Sequence, residues 1–167
     1  MSLNILLLED DPAKKSKLLS LLQEKGLSSH LDVAICTNQA LSLIEERPQY
    51  DLLIADVVVP ADFTGDKDER NCMDFFDAID ERIAPEKRPL YSLPISAATN
   101  LTESAYDFFR CRPWGILPYS ENNADCLNAL HSIAEWILND KKNRDQRNHC
   151  DVFIITALSH PEYSEIE

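Results

Sequence analysis

Apolar and polar positions fall in blocks along this chain. Ile5 to Leu8 form a short continuous apolar run, which predicts a fully buried strand over residues 4–8. Asp11-Pro12 punctuates it, since Asp caps helices and Pro suits the first helical position. A helix over 12–25 follows, with Leu18, Leu19, Leu21 and Leu22 near one side and Gly26 as its natural stop. Residues 31–36 read as a second strand. Asn38 can cap a helix carrying Ala40, Leu41, Leu43 and Ile44, which ends at Arg47-Pro48. Residues 52–55 are a third strand.

After Pro60 the stretch ADFTGDKDERN is polar and charged, which predicts a loop. Residues 71–83 read as a helix, with Met73, Phe76, Ile79 and Ile83 at spacings of three and four. Residues 84–94 hold Pro85, Pro89 and Pro94 and read as a connection. Residues 95–98 are a short fourth strand. Thr102 can cap a helix reaching Phe109 or Arg110, and residues 114–117 are a fifth strand. Asn122 or Asn123 opens a last helix whose buried face is marked by Leu127, Leu130, Ala134 and Ile137. Five strands alternating with five helices over residues 1–140 predict an α/β fold. It is a doubly wound, five-stranded parallel sheet with right-handed crossovers, in the flavodoxin-like order 2-1-3-4-5.

That topology gives meaning to an acid at the end of the apolar stretch YDLLIADVVVP, residues 50–60. Burying an unpaired carboxylate is costly, so Asp56 belongs at the open end of its strand or is held by something. The first strand ends in Glu9-Asp10-Asp11. In the 2-1-3-4-5 order strands one and three are neighbours, so Glu9, Asp10 and Asp56 converge where such folds bind ligands. Singly, each acid has a simpler place: Asp11 as a helix cap, Glu9 and Asp10 as a solvated strand end, Asp56 in a turn. Jointly they favour a site. Three clustered carboxylates stay ionised together only if a cation offsets them, and few oxygen ligands suit magnesium. An Asp beside such an ion can act as a nucleophile and form an acyl phosphate, and Thr99 on the next strand can hydrogen-bond a phosphoryl oxygen.

Charge and cysteine use narrow the partners. The net charge is −13 in 167 residues, which disfavours non-specific contact with nucleic acid or an anionic membrane and favours divalent metals or basic patches. Apolar content of 44% suits one domain with a small extra piece. Five scattered cysteines without a CxxC read as reduced thiols and predict a cytoplasmic protein. No run approaches membrane-spanning length, and the opening MSLNILLLEDD lacks the features of a signal peptide. Three glycines in all exclude Walker-type phosphate loops, and no nucleophile–base pair argues for an enzyme.

The pieces NILLLEDDP, YDLLIADVVVP, PISAATN and WGILPYS, in that order over about residues 4–140, resemble a response-regulator receiver domain of two-component signalling. The resemblance implies that Glu9 and Asp10 bind Mg2+, that Asp56 is the phosphoacceptor, and that the main-chain carbonyl of Val58 is a further metal ligand. It implies Thr99 as the switch hydroxyl and Trp114 as the switch aromatic. It also implies a sensor histidine kinase or phosphotransfer protein as partner, and leaves a homodimer open. Three departures matter. Leu117 stands where the family carries a lysine that contacts the phosphoryl group. The loop after Asp56 is lengthened around residues 62–70, with Cys72 at the usual glycine. Asn100 replaces a small residue. Lys67 or Arg70 of the longer loop can swing in to replace the missing lysine.

Residues 141–150, KKNRDQRNHC, are almost wholly polar and read as a linker. His149-Cys150 has no second half for a metal site. The stretch DVFIITALSHPEYSEIE, residues 151–167, predicts a strand and resembles the start of the nucleoside phosphorylase superfamily, near methylthioadenosine/adenosylhomocysteine nucleosidases. That would make it the truncated start of an attached effector domain; an extra edge strand, or a strand exchanged between two copies, is the alternative. Two functions therefore compete. One is a phosphorylatable receiver controlling an attached domain, favoured by Glu9, Asp10, Asp56 and Thr99. The other is a degenerate pseudo-receiver acting as a protein–protein interaction module, favoured by Leu117. The first is the reading adopted.

Overall fold

The structure is a computed structural model. It describes residues 2–24, 26–98, 100–113, 115–120 and 124–158, without the side chains of Glu24, Ala124 and of residues beyond 144. The elements in chain order are β1 (Leu3–Leu8), α1 (Pro12–Glu24), β2 (Ser28–Ala34), α2 (Thr37–Glu46), β3 (Leu52–Asp56), β4 (Val59–Pro60), β5 (Lys67–Asp68), α3 (Glu69–Arg82), β6 (Tyr91–Ser96), α4 (Glu103–Arg110), β7 (Leu117–Pro118) and α5 (Ala124–Leu158). The main sheet runs β2-β1-β3-β6-β7, all parallel, which is the expected 2-1-3-4-5 order. Leu8 pairs with Ala55, and Asp56 with Ile95, so the ends of β1, β3 and β6 lie side by side.

Alternate residues of the central strands enter two cores. Leu6, Leu8, Leu53 and Ala55 pack with Ile44 of α2, Phe75, Phe76 and Ile79 of α3, and Phe109 of α4. Leu3, Ile5, Leu7, Leu52 and Ile54 pack with Leu18 and Leu22 of α1 and Leu130, Ala134 and Ile137 of α5. Both faces are covered, which is why the strands read as continuous apolar runs rather than as alternating ones.

The local signals hold where capping chemistry is strong. Asp11 Oδ1 accepts the Lys14 N–H at 2.7 Å and caps α1, Thr102 accepts the Ala105 N–H at 3.3 Å and caps α4, and Gly26 adopts φ 61° just beyond α1. At α2 the helix begins at Thr37, and the Asn38 N–H is instead donated to Ala61 O at 3.0 Å. Asn122 and Asn123, expected to open the last helix, lie outside the described residues.

Three expectations are corrected. The fourth strand starts earlier, at Tyr91, and contains Pro94. The Tyr91 N–H is donated to Asp51 O and Ile95 O accepts from the Val57 N–H, so these two residues face β3. Pro94, one step off, faces the other side, where β7 begins only opposite Ile95; its missing N–H interrupts no ladder. Secondly, the polar stretch after Pro60 is a small antiparallel hairpin of β4 and β5, with Val59 opposite Asp68. Asp62 Oδ1 accepts the Thr64 N–H at 2.9 Å in its turn, and Asn71 Nδ2 ties Val59 O and Asp66 O together.

The third correction concerns α5. It runs unbroken through the expected linker and through the expected strand to Leu158. Lys141 belongs to the domain: its Nζ lies 2.7 Å from Oδ2 of buried Asp51, which also accepts the Asn4 N–H at 2.8 Å. One residue earlier, Asp140 Oδ2 accepts the Tyr91 hydroxyl at 2.6 Å. Val152, Ile154 and Ile155 favour a strand by propensity, but a strand also needs a neighbour for its backbone groups, and no described strand edge pairs with this segment. No described helix is long and apolar enough to cross a membrane.

Candidate functional site

Glu9 follows β1 and continues its ladder, donating its N–H to Ala34 O at 2.9 Å. Its side chain is fully buried, and Oε1 accepts the Asp11 N–H at 2.9 Å. Asp56 is the last residue of β3 and is 9 % exposed. Glu9, Asp10 and Asp56 each offer an oxygen within 4.8 Å of the others, so the three acids expected to converge do so.

Two ammonium groups enter this cluster. Lys14 of α1, only 4 % exposed, places Nζ 2.8 Å from Glu9 Oε2 and 2.9 Å from Asp56 Oδ2. Its ammonium also lies 5.1 Å from the ring centre of Tyr119. Lys67, at the start of β5, places Nζ 2.6 Å from Asp10 Oδ2 and is half exposed. The hairpin thus folds the Lys67 ammonium back onto Asp10 of the acid pair. Arg70 instead lines an adjoining cleft of about 430 Å3 with Val58, Lys67, Asn100, Leu101 and Thr102.

Burial is the largest influence on Glu9 and raises its carboxyl above the ordinary range. The charge of Asp56 raises it further, and Lys14 opposes both. The hydrogen bond to Asp10 raises the Lys67 ammonium, against partial burial. Asp11, bonded to the helix N–H groups, is lowered. Cys72, at the start of α3, is fully buried; burial first and Asp56 second push its thiol up, so it is an inert packing residue rather than a nucleophile.

Sequence reasoning missed Lys14, although a signal was present. Lys14, Leu18 and Leu22 are spaced by four and share the face of α1 that enters the core. A lysine one turn before two core leucines, just after a capped acid cluster, points inward at the strand ends. Leu117 sits in register with Ile95 and packs against the core on the α1 and α5 side. Thr99 and Trp114 lie outside the described residues.

The donor set fits a hard divalent cation. Asp10 Oδ1 is buried without a hydrogen-bond donor and so retains acceptor capacity, while Glu9 Oε2 meets only the Lys14 ammonium. Magnesium at about 2.1 Å from its ligands spaces adjacent oxygens about 3 Å apart. The three carboxylate oxygens lie within 4.8 Å of one another, close to that scale.

Together these features define a parallel α/β domain with an acid pocket at the carboxyl edge of its sheet, and its fold is that of the CheY-like receiver domains. A response regulator from Hahella chejuensis is 17% identical with a TM-score of 0.63, over 82% of this chain and 96% of that one. The receiver domain of the sensor histidine kinase PA1611 from Pseudomonas aeruginosa PAO1, solved with magnesium in its active-site cleft, is 17% identical with a TM-score of 0.59, over 82% and 98%. NtrX from Brucella abortus is 21% identical with a TM-score of 0.59, over 88% of this chain and 29% of that longer one. No protein-family model and no curated protein matches the chain.

Proposed function

We propose that this chain is a response-regulator receiver domain that accepts a phosphoryl group on Asp56 from a sensor histidine kinase or phosphotransfer protein. The observation that carries the reading is the convergence of Glu9, Asp10 and Asp56 at adjacent strand ends of a receiver fold. Glu9, Asp10, Asp56 and the Val58 carbonyl are the residues that would hold Mg2+. The ion, when bound, supplies positive charge that orients and neutralises the phosphoryl oxygens. Asp56 supplies the nucleophilic oxygen, held at the end of β3 beside the pocket. Thr99 is the proposed switch hydroxyl and Trp114 the proposed switch aromatic.

The domain is itself a regulated module rather than an enzyme, and it acts on whatever follows α5. The proposed continuation from residue 151 is the start of an effector domain resembling nucleosidases, and the fold occurs within a longer chain in NtrX. The cytoplasm is the compartment that the scattered thiols suit.

A second reading is favoured by one observation. Lys14 and Lys67 already stand on the carboxylates, as they would in a pseudo-receiver that keeps its pocket closed without a metal. Intact mass after incubation with acetyl phosphate and magnesium separates the two. The receiver reading expects one added phosphate on the wild type and none on Asp56→Asn. No adduct on either protein, or an adduct that survives the substitution, overturns it.

A further inference from the structure

Phosphoryl transfer to Asp56 has a definite charge requirement. An Asp56 oxygen attacks phosphorus, the bond from phosphorus to the donor atom breaks, and the donor leaves with that electron pair; that atom is an imidazole nitrogen in a phosphohistidine donor, and in acetyl phosphate it is the oxygen that leaves as acetate. The acyl phosphate carries one more negative charge than the carboxylate it replaces. Preorganised cations at that position are what lower such a barrier.

The described residues around Asp56 supply one cation placed for this. Lys14 Nζ lies 2.9 Å from Asp56 Oδ2, within a cleft of about 370 Å3 that is also lined by Asp11, Ala97, Tyr119 and Ser120. The cleft is large enough for a phosphoryl group between α1, the end of β6 and the segment after β7. The ammonium is buried, and its two close partners are Glu9 Oε2 at 2.8 Å and Asp56 Oδ2 at 2.9 Å. An ammonium has three donors, so it can keep its contact with Glu9 and still turn others to an acceptor-rich ligand beside Asp56. Lys67 is paired with Asp10 rather than with Asp56, and Leu117 is a partly buried apolar side chain packed against the core.

Charge counting agrees. Three carboxylates against Lys14 and Lys67 leave the cluster one negative charge. A divalent cation turns that into one positive charge, and the acyl phosphate brings it to zero. Without Lys14 the phosphorylated site is left one charge short.

Resting on the receiver reading above, we infer that Lys14 is the phosphoryl-binding residue of this domain, a role supplied from helix α1 rather than from the strand-five side of the pocket. Its ammonium turns from Asp56 Oδ2 to the phosphoryl oxygens as the new bond forms. The Glu9 contact is the tether that keeps it in place, and the Tyr119 ring borders it on the open side.

The test follows the rate of adduct formation with acetyl phosphate and magnesium by intact mass, in wild type, Lys14→Met, Lys14→Gln and Lys14→Arg. Metal affinity is measured separately, from the melting-temperature shift on magnesium titration without any phosphodonor. Losing a charge-assisted contact should slow Lys14→Met about 10- to 100-fold, and Lys14→Arg should recover much of the rate. Lys14→Gln replaces the methionine variant if that one does not fold. Magnesium affinity of the neutral variants should equal or exceed that of the wild type, because a positive charge has left the ion's neighbourhood. Neutral variants as fast as wild type, equal losses in the neutral and arginine variants, or weakened magnesium binding in the neutral variants would each overturn the role of Lys14 while leaving Asp56 as acceptor. A wild type that forms no adduct overturns the receiver reading, and this inference with it.

Discussion

Lys67 Nζ stands 2.6 Å from Asp10 Oδ2, so the hairpin inserted after Asp56 reaches back across the pocket and places a cation on the acid pair. The contact joins the feature that departs most from a plain receiver loop to the residues that bind metal in the proposed function.

Removing that cation should help magnesium. Lys67→Met deletes a like charge from the ion's surroundings, and magnesium should bind severalfold more tightly in a calorimetric titration. Because Lys67 is half exposed, stability without metal should fall by less than about 1 kcal/mol. The pair also has a pH window. The folded-state pKa of Lys67 is raised, so its contribution is fully present below about pH 10.5 and is lost as pH rises through the folded value. Weaker magnesium binding by Lys67→Met would mean that the lysine positions Asp10 rather than competing for it.

Glu9 is the acid that carries the cost of the cluster. Its pKa is raised even with Lys14 opposing, so the folded state binds more protons than the unfolded chain, and stability from this group declines as pH rises through the folded value. Glu9→Gln mimics the protonated form and can still accept the Asp11 N–H at Oε1. Without metal it should melt a few degrees above wild type at neutral pH, given about 2–4 °C per kcal/mol for a domain of this size. The difference should vanish below about pH 4.5, where both folded and unfolded glutamate are protonated. Saturating magnesium should reverse the order, since the variant lacks a ligand. A lower melting temperature for metal-free Glu9→Gln at neutral pH would show that its ion pair with Lys14 outweighs desolvation.

The Asp51–Lys141 pair ties the first residue of the expected linker to the sheet. Asp51 is 4 % exposed and uses Oδ2 for both the Asn4 N–H and the Lys141 ammonium. Asp51→Ala should cost about 2–3 kcal/mol in urea unfolding, the scale of lost charge-assisted bonds with a buried donor left unpaired. A chain cut after Asp140 should lose part of that amount, and one cut after Cys150 none of it. Equal stability of the two truncated chains would place the boundary back at residue 140.

Much of this molecule was legible without its coordinates. Continuous apolar runs at Ile5–Leu8 and Leu52–Ala55 mean strands buried on both faces, and right-handed crossovers leave few ways to order them. That alone brings Glu9 and Asp10 beside Asp56. The caps Asp11 and Thr102 and the stop at Gly26 act within a few residues of themselves, so local sequence reveals them. What the tertiary structure decided are the relations that depend on orientation. Pro94 is acceptable in β6 only because its side of the strand has no partner yet. Lys67 meets Asp10 only because a polar stretch closes into a hairpin. Lys141 belongs to the domain only because the last helix passes Asp51. Lys14 becomes the innermost cation because Leu18 and Leu22, anchored in the core, fix the rotation of α1 about its own axis. A hydrophobic pattern specifies which face of a helix is buried; what that face meets is set by the neighbouring strand ends, which lie far away in sequence.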